Sequence, residues 1–294
     1  MRPRARVLVM AIAVVVAAGC AAGGSSESPA LLDSPAPTAA SPAPETASPT
    51  RSSPPHFAEM FDIGGGRELF MECTGAGTPT VILESGDEDD GRAWSGVVPG
   101  LVDLTRVCTY DRLGTGQSDA ASGCRAMDEI RGDFEALLTA AEVAPPYVLV
   151  GTSGGGYLVA GYALAHPQEV AGLVIVDTFP AIDLSKYPPE LAYEIGCDNP
   201  SNVEHRDYEA VEHAAWDNRT KVGDIPVTVI SNDYTGYAQN EDEENSIEGQ
   251  QGWFVLNPDQ ARQVVVTTGH FVPGNEPRVV IDEVTRVVEL ARAS

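Results

Sequence analysis

The fold of this chain is decided by the stretch Tyr147-Val148-Leu149-Val150-Gly151-Thr152-Ser153-Gly154-Gly155-Gly156. Four residues typical of a short β-strand run into the pattern Gly-x-Ser-x-Gly, and a helical pattern follows. This succession is typical of a nucleophile elbow, a sharp strand-to-helix turn that exposes a serine hydroxyl. Glycine is needed beside the serine because the backbone is strained and approaches the helix closely. We therefore predict that Ser153 is a nucleophile, with the positive end of the next helix beneath it.

The residues that follow the pentapeptide support this interpretation. Gly-x-Ser-x-Gly alone is a weak pattern, since many Gly- and Ser-rich segments are only loops. Here Leu158–Ala165 carries apolar residues at helical spacing and ends before Pro167. The apolar run Gly172–Asp177 then predicts another strand. Strand, elbow, helix and strand form a βαβ unit.

Residues 1–19 have the features of a secretory signal. Three arginines within the first six residues precede the run Val7–Ala18, which is apolar but too short to span a bilayer. The end of this run, Ala17-Ala18-Gly19-Cys20, is similar to a bacterial lipobox, in which Cys20 is lipidated and becomes the mature N-terminus. We expect an exported cell-envelope lipoprotein on the outer face of the membrane. The alternative is a secreted protein that is cut nearby.

The next segment, residues 20–55, consists almost entirely of Ala, Ser, Pro, Thr and Gly. Such a composition buries too little apolar surface to offset the entropy of ordering, so we expect a disordered tether stiffened by proline. The remaining residues, 56–294, are enough for one large domain.

This domain is strongly acidic. Four of the 18 basic residues and three of the 43 acidic residues precede His56, which leaves 14 basic against 40 acidic residues. The negative electrostatic potential of such a domain repels nucleic acid and anionic lipid surfaces, so we expect neither as a partner. Contact with the membrane is expected only through the N-terminal lipid anchor.

Four cysteines remain besides Cys20, namely Cys73, Cys108, Cys124 and Cys197. An even number in an exported domain predicts two disulfides, and the sequence alone allows three pairings. No Cys-x-x-Cys spacing occurs, so we expect no zinc site and no metal.

Strands alternate with helical patterns along the domain, which predicts a mostly parallel sheet covered on both faces. The eight predicted strands are Phe57–Ile63, Glu68–Cys73, Thr80–Glu84, Arg106–Tyr110, Tyr147–Val150, Leu173–Val176, Val227–Ile230 and Gln263–Thr267. Beyond the helix after the elbow, helices are predicted at Asp128–Ala141, Pro258–Arg262 and Arg278–Ala293.

Four motifs in this order resemble the α/β-hydrolase fold over residues 57–293. Thr80–Gly86 stands where that family has its oxyanion loop. Tyr110–Asp119 is similar to the family's Asp-Arg-x-Gly-x-Gly-x-Ser turn, and the elbow and Gly269-His270 follow. The resemblance implies an eight-stranded, mostly parallel sheet with helices on both faces and a short cap, about 178–222, between strands six and seven.

The resemblance also implies the disulfides. In the family's usual sheet order the second and fourth strands are neighbours, which brings Cys73 and Cys108 close enough to bridge. Cys124–Cys197 is then the second pair, and it clamps the cap to the body.

A serine nucleophile needs a base, and His270 is the best of five histidines. It lies on a loop past the last strand, at the carboxyl edge of the sheet, and it satisfies the fold's chain order of Ser, acid, His. His56 precedes the domain, and His166 lies at a helix end, which favours a structural role. His205 and His213 lie among the charged residues of 204–212, which predicts a solvated cap surface.

Two carboxylates are candidates for the acid that orients the histidine ring. Asp177 stands at the end of strand six and Asp233 follows strand seven, and the fold uses either place. The stretch Ser231–Thr235 matches the usual strand-seven turn poorly, so we favour Asp177 and keep Asp233 as the alternative. Helix capping or a turn could also account for either residue.

The expected oxyanion donors are the backbone N–H groups of Gly154 and of Asp87, in the loop after strand three. Here the chain departs from the family's His-Gly, because Glu84-Ser85-Gly86 leads into four carboxylates at residues 87–90. These are tolerable if they point into water. A second hypothesis is that this loop, with residues 241–244, selects cationic or neutral substrates or binds a cation. Thr152 and Gly154–Gly156 are expected to leave unusual room around the nucleophile.

Together these residues predict cleavage of carboxylic esters, as small-molecule substrates, through an acyl-enzyme and without a cofactor. An epoxide or haloalkane hydrolase would need Asp in place of Ser153. A peptidase, thioesterase or perhydrolase would use the same triad. A different class, a non-catalytic binding lipoprotein of this fold, is favoured only by the altered oxyanion loop. The sequence does not determine the oligomeric state.

Overall fold

The computed structural model describes residues 56–181, 183, 185, 196–234 and 247–294. The predicted signal, Cys20 and the tether lie outside the described residues, as do residues 241–244 and a minority of the predicted cap (182, 184 and 186–195). Among the described helices, none combines the length and apolar character that crossing a bilayer requires.

A single sheet of eight strands runs through the described domain, in the spatial order β1-β2-β4-β3-β5-β6-β7-β8. The pairs β1–β2 and β2–β4 are antiparallel, and all other neighbours are parallel. The strands are β1 (Phe57–Asp62), β2 (Glu68–Thr74), β3 (Thr80–Glu84), β4 (Val107–Tyr110), β5 (Tyr147–Thr152), β6 (Val170–Val176), β7 (Val227–Asn232) and β8 (Ala261–Val266). The mostly parallel, eight-stranded sheet predicted from the sequence is confirmed.

Helices cover both faces of this sheet. The α-helices are α1 (Val98–Leu101), α2 (Met127–Ala140), α3 (Gly154–Ala165), α4 (Tyr208–Trp216), α5 (Ile247–Gln250), α6 (Val272–Asn275) and α7 (Pro277–Ala293), and 3-10 helices span Gly91–Trp94 and Gln251–Leu256. Alternate residues of β5 enter two separate cores: Tyr147 and Leu149 pack with α2, α3 and α4, whereas Val148 and Val150 pack with α1 and α7. Every residue of β5 is buried, which explains why the strand is a continuous apolar run.

The helix predicted at Pro258–Arg262 is wrong. Ala261–Val266 is β8, which pairs in parallel with β7 over six residues. The preceding residues form a turn, closed by a hydrogen bond from the Gln260 N–H to the Asn257 carbonyl of 3.2 Å. Proline begins this turn without needing a hydrogen-bond acceptor, and the six-residue ladder outweighs the local helical preference.

The prediction that 204–212 is a solvated surface is also wrong in part. Tyr208–Trp216 forms α4, and the side chains of Glu204 and Arg206 just before it are fully buried. Their charged partners, Arg112 and Asp87, lie 92 and 119 residues earlier in the chain, so no local pattern could indicate these ion pairs.

Two disulfides join the cysteines in the pairs implied by the resemblance. Cys73 and Cys108 stand directly opposite each other on β2 and β4 and are completely buried. Cys124 bonds to Cys197, so the predicted cap is tied to the loop before α2.

Each disulfide is expected to contribute about 2–4 kcal/mol to stability, because it closes a loop of 35 or 73 residues in the unfolded chain. Replacing both partners by alanine should cost more for Cys73–Cys108, whose sulfurs also leave a cavity in the core. Urea unfolding of the two double variants measures both free energies. A larger loss for Cys124–Cys197 would contradict this ranking.

Candidate active site

Ser153 lies at the sharp turn between β5 and α3. Its backbone has φ 51° and ψ −126°, a strained conformation for a residue with a side chain. A Cβ at Gly151 would overlap the carbonyl oxygen of Gly155, and a Cβ at Gly155 would overlap that of Ser85. The turn therefore closes only with glycine at both positions, as the sequence predicted.

The hydroxyl of Ser153 meets the imidazole of His270. Ser153 Oγ and His270 Nε2 are 2.8 Å apart, although 117 residues separate them in the chain. His270 follows β8, and its other nitrogen, Nδ1, lies 2.8 Å from a carboxylate oxygen of Asp177. Serine, histidine and aspartate thus form one continuous hydrogen-bonded line.

Asp177 directly follows β6 and is completely buried. One oxygen, Oδ1, accepts hydrogen bonds from the Asn232 N–H and from Gln250 Nε2, each at 3.1 Å. The other oxygen, Oδ2, accepts from the Tyr234 hydroxyl as well as facing His270. These three hydrogen bonds and the contact with His270 therefore hold this carboxylate in one orientation. Gln250 and Tyr234 were not identified from the sequence, because their role depends on which strand supplies the acid.

The end of β7, where Asp233 was the alternative acid, supports the histidine loop instead. Asn232 Oδ1 accepts from the N–H groups of Thr268 and Gly269, at 2.8 and 2.9 Å. The Asp233 N–H donates to the Val266 carbonyl at 2.7 Å. These bonds hold the residues just before His270 against the sheet.

A buried charge network fixes the loop after β3. Glu84 pairs with Arg112, which also donates to the carbonyls of Ser85 and Gly86 at 2.8 and 2.6 Å. Glu204 accepts from the other side of the same guanidinium, at 2.6 and 2.7 Å. Burial raises the pKa of Glu84, whereas for Glu204 the charge and hydrogen bonds of Arg112 outweigh burial and lower the pKa.

The acidic loop is only partly solvated. Glu88 and Asp89 are exposed, but Asp87 pairs with the buried Arg206, and Asp90 pairs with Arg92 at 2.5 Å. The prediction of unusual room around the nucleophile is wrong. The Asp87 carboxylate fills the space beside Gly154, where a Cβ would overlap it.

The other histidines have partners away from Ser153. His166 contacts Glu135 at 2.7 Å, His205 contacts the Cys197 carbonyl at 2.9 Å, and His213 contacts Asp217 at 2.7 Å. Within the described residues, the only His, Cys, Asp and Glu side chains grouped closely enough for a metal are Cys124, Cys197 and Asp198. Their two sulfurs are bonded to each other, which leaves no thiolate ligand.

Comparisons with known proteins identify the fold. A family model described as the alpha/beta hydrolase fold matches residues 79–196. Est816, a solved structure described as an N-acyl homoserine lactone degrading enzyme, superposes with a TM-score of 0.63 at 20% identity, over 78% of this chain and 100% of that one. The chain has the α/β-hydrolase fold.

Another solved structure and one curated protein extend the comparison of this α/β-hydrolase domain. A thermophilic esterase from Thermogutta terrifontis superposes with a TM-score of 0.60 at 20% identity, over 81% of this chain and 99% of that one. A putative carbamate hydrolase, RutD of Yersinia enterocolitica, is 36% identical over 120 residues, which are 39% of this chain and 42% of that protein. The chain spans less than half the length of the curated relatives it matches.

The charges around His270 shift its protonation. Burial lowers the pKa of His270, but the hydrogen bond and charge of Asp177, with the charges of Asp87 and Asp89, outweigh burial and raise it above 6.5. A base in this position acts only when its ring is neutral. Its activity is therefore gained as the pH rises through this elevated pKa.

We expect Asp177→Asn to lower the pKa of His270, because it removes both the hydrogen bond and the nearest negative charge. Asp233→Asn is the matched control and should move this pKa much less. NMR titration of the His270 ring measures both changes. An equal or larger shift in the control would assign the acid to Asp233.

Proposed function

We propose that the chain is a serine hydrolase that cleaves carboxylic esters through an acyl-enzyme. The observation that supports this most is the line of contacts from Ser153 Oγ to His270 Nε2 and from His270 Nδ1 to Asp177, each 2.8 Å long. In this proposal Ser153 is the nucleophile, His270 the general base and then acid, and Asp177 the residue that orients the ring.

The reaction divides into two steps that use the same groups. As Ser153 Oγ attacks the ester carbonyl, His270 Nε2 takes its proton, and Asp177 stabilises the imidazolium that forms. The protonated ring then donates to the leaving alcohol, and an acyl group remains on Ser153. Water attacks that ester with His270 again as the base, which releases the acid and restores the hydroxyl.

The oxyanion of each tetrahedral intermediate is assigned to the N–H groups of Gly154 and Asp87. Gly154 begins α3, so its N–H has no acceptor within that helix and adds to the positive end of the helix dipole. Gly86 brings the loop after β3 alongside, because a Cβ built at Gly86 would lie 3.4 Å from Ser153 Cβ.

The relatives favour hydrolysis of an acyl compound. Est816 is described as degrading an N-acyl homoserine lactone, which is a cyclic ester, and the Thermogutta terrifontis protein is described as an esterase. Epoxide hydrolases also superpose on the chain. A serine at position 153 favours acyl transfer over epoxide opening, which would need aspartate there.

A fluorophosphonate probe is expected to label the protein on Ser153 and to inactivate it toward p-nitrophenyl acetate. Ser153→Ala should lose labelling and lower kcat/KM by about 10⁴-fold or more, because the nucleophile is removed. Gel fluorescence and mass spectrometry of the labelled peptide measure this. Ser95→Ala, at an exposed position in the loop before α1, is the matched control and should label normally. Folded protein that does not label would favour the non-catalytic binding role.

We further propose that the hydrolase is exported and anchored by a lipid on Cys20. The signal-like segment, the lipobox-like residues before Cys20 and two disulfides in the domain support this. Cys20→Ser should release the protein from the membrane fraction into the medium or the soluble fraction, and it should abolish incorporation of radiolabelled palmitate. Unchanged fractionation of this variant would contradict lipid anchoring.

A further inference from the structure

One buried guanidinium bridges the two residues to which the oxyanion donors are assigned. Arg206 Nη1 pairs with the carboxylate of Asp87, and Arg206 Nη2 donates to the carbonyl oxygen of Gly154 at 3.1 Å. Arg206 reaches these residues from the cap, directly before α4. Its side chain is fully buried, and its Nε atom has no hydrogen-bond partner among the described residues.

The backbone of Arg206 is held firmly in place. Its N–H donates to Asn202 Oδ1 at 3.1 Å, and its carbonyl accepts from Asn202 Nδ2 at 2.8 Å. Arg206 also forms an isolated β-bridge with Arg125, the residue next to the Cys124–Cys197 disulfide. Such bracing of a residue whose guanidinium is incompletely satisfied suggests a role beyond stability, because an unpaired buried N–H costs free energy.

The charge of Asp87 explains what that role is. Its carboxylate packs directly against Gly154, where a side chain at position 154 would otherwise lie. The proposed reaction develops a negative oxygen beside the same residue. An unneutralised carboxylate there would repel this oxygen and slow the reaction, since water screens a half-buried charge incompletely.

We propose that Arg206 is a positioning residue of the hydrolase: it neutralises and orients Asp87 and so keeps the oxyanion site able to accept negative charge. This inference rests on the proposed function. In this proposal a residue of the cap supports the reaction. Its positive charge offsets the negative charge of Asp87, which would otherwise oppose catalysis.

Three variants test the proposal with p-nitrophenyl acetate as the probe substrate. Arg206→Gln should lower kcat by about 10- to 100-fold and change KM by less than about threefold, because the lost interaction is worth more in the transition state. Arg206→Lys keeps the charge but not the planar fork and should give an intermediate kcat. Asp87→Asn combined with Arg206→Gln removes both charges and should raise kcat above that of Arg206→Gln alone, to within about threefold of the wild type.

A second readout follows the ring of His270, whose charged and titratable neighbours are Asp177, Asp87, Asp89 and Tyr234. Asp87→Asn removes a negative charge and should move the acidic limb of kcat/KM, and the NMR titration of His270, to lower pH. Arg206→Gln removes a positive charge and should move both to higher pH. Asp133→Asn is the matched control, since Asp133 is a buried carboxylate paired with Arg125 and Arg67. It should lower the melting temperature and leave the acidic limb in place.

Several results would overturn the proposal. One is wild-type kcat in Arg206→Gln, and another is a double variant no better than Arg206→Gln alone. If Arg206→Gln does not fold, two other results would overturn the proposal. One is wild-type kcat in Arg206→Lys, and the other is an unshifted His270 titration in Asp87→Asn. Wild-type protein that is folded but does not react with the fluorophosphonate would contradict both the proposed function and this inference. If the wild-type protein reacts with the fluorophosphonate, any of the other results would contradict this inference and leave the proposed function intact.

Discussion

The contact between Ser153 Oγ and His270 Nε2 is the interaction on which the rest of the site depends. It exists because parallel strands end at the same edge of the sheet. Neighbouring strands β5, β6, β7 and β8 deliver the serine, Asp177, Asn232 and the histidine loop to that edge in succession. The strained backbone of Ser153 raises the hydroxyl out of the turn, and the tight packing of the elbow maintains that strain. The geometry is thus built into the sheet before any substrate arrives, as preorganised catalysis requires.

Two arginines, Arg112 and Arg206, neutralise carboxylates that lie close to Ser153. The loop after β3 brings Glu84 and Asp87 to a site where negative charge would develop. Arg112 binds Glu84 and the carbonyls of the loop, and Arg206 binds Asp87 and the elbow. Glu204 then joins the cap to Arg112, so cap and oxyanion loop form one hydrogen-bonded unit. Each buried charge is tolerable because it is paired.

The structural features that depend on local chemistry could be predicted from the sequence. The elbow, the strands β3 to β6 and the place of His270 follow from residue size, apolar runs and chain order. The sequence favoured Asp177 over Asp233 only through the poor match of Ser231–Thr235 to the usual turn, because which carboxylate reaches the imidazole depends on how the strands pack together. Arg206 was missed because a solvated surface is the usual outcome among charged neighbours, and its contacts with Asp87 and Gly154 lie 119 and 52 residues away in the chain. At residues 258–262, pairing with β7 overrode a weak helical preference.

The most direct test of the central claim is a crystal structure of the protein after reaction with a fluorophosphonate. We expect phosphorus bonded to Ser153 Oγ, with the phosphoryl oxygen about 3 Å from the backbone nitrogens of Gly154 and Asp87. His270 should remain between the adduct and Asp177. An unmodified Ser153, or an adduct whose phosphoryl oxygen points away from both nitrogens, would contradict it.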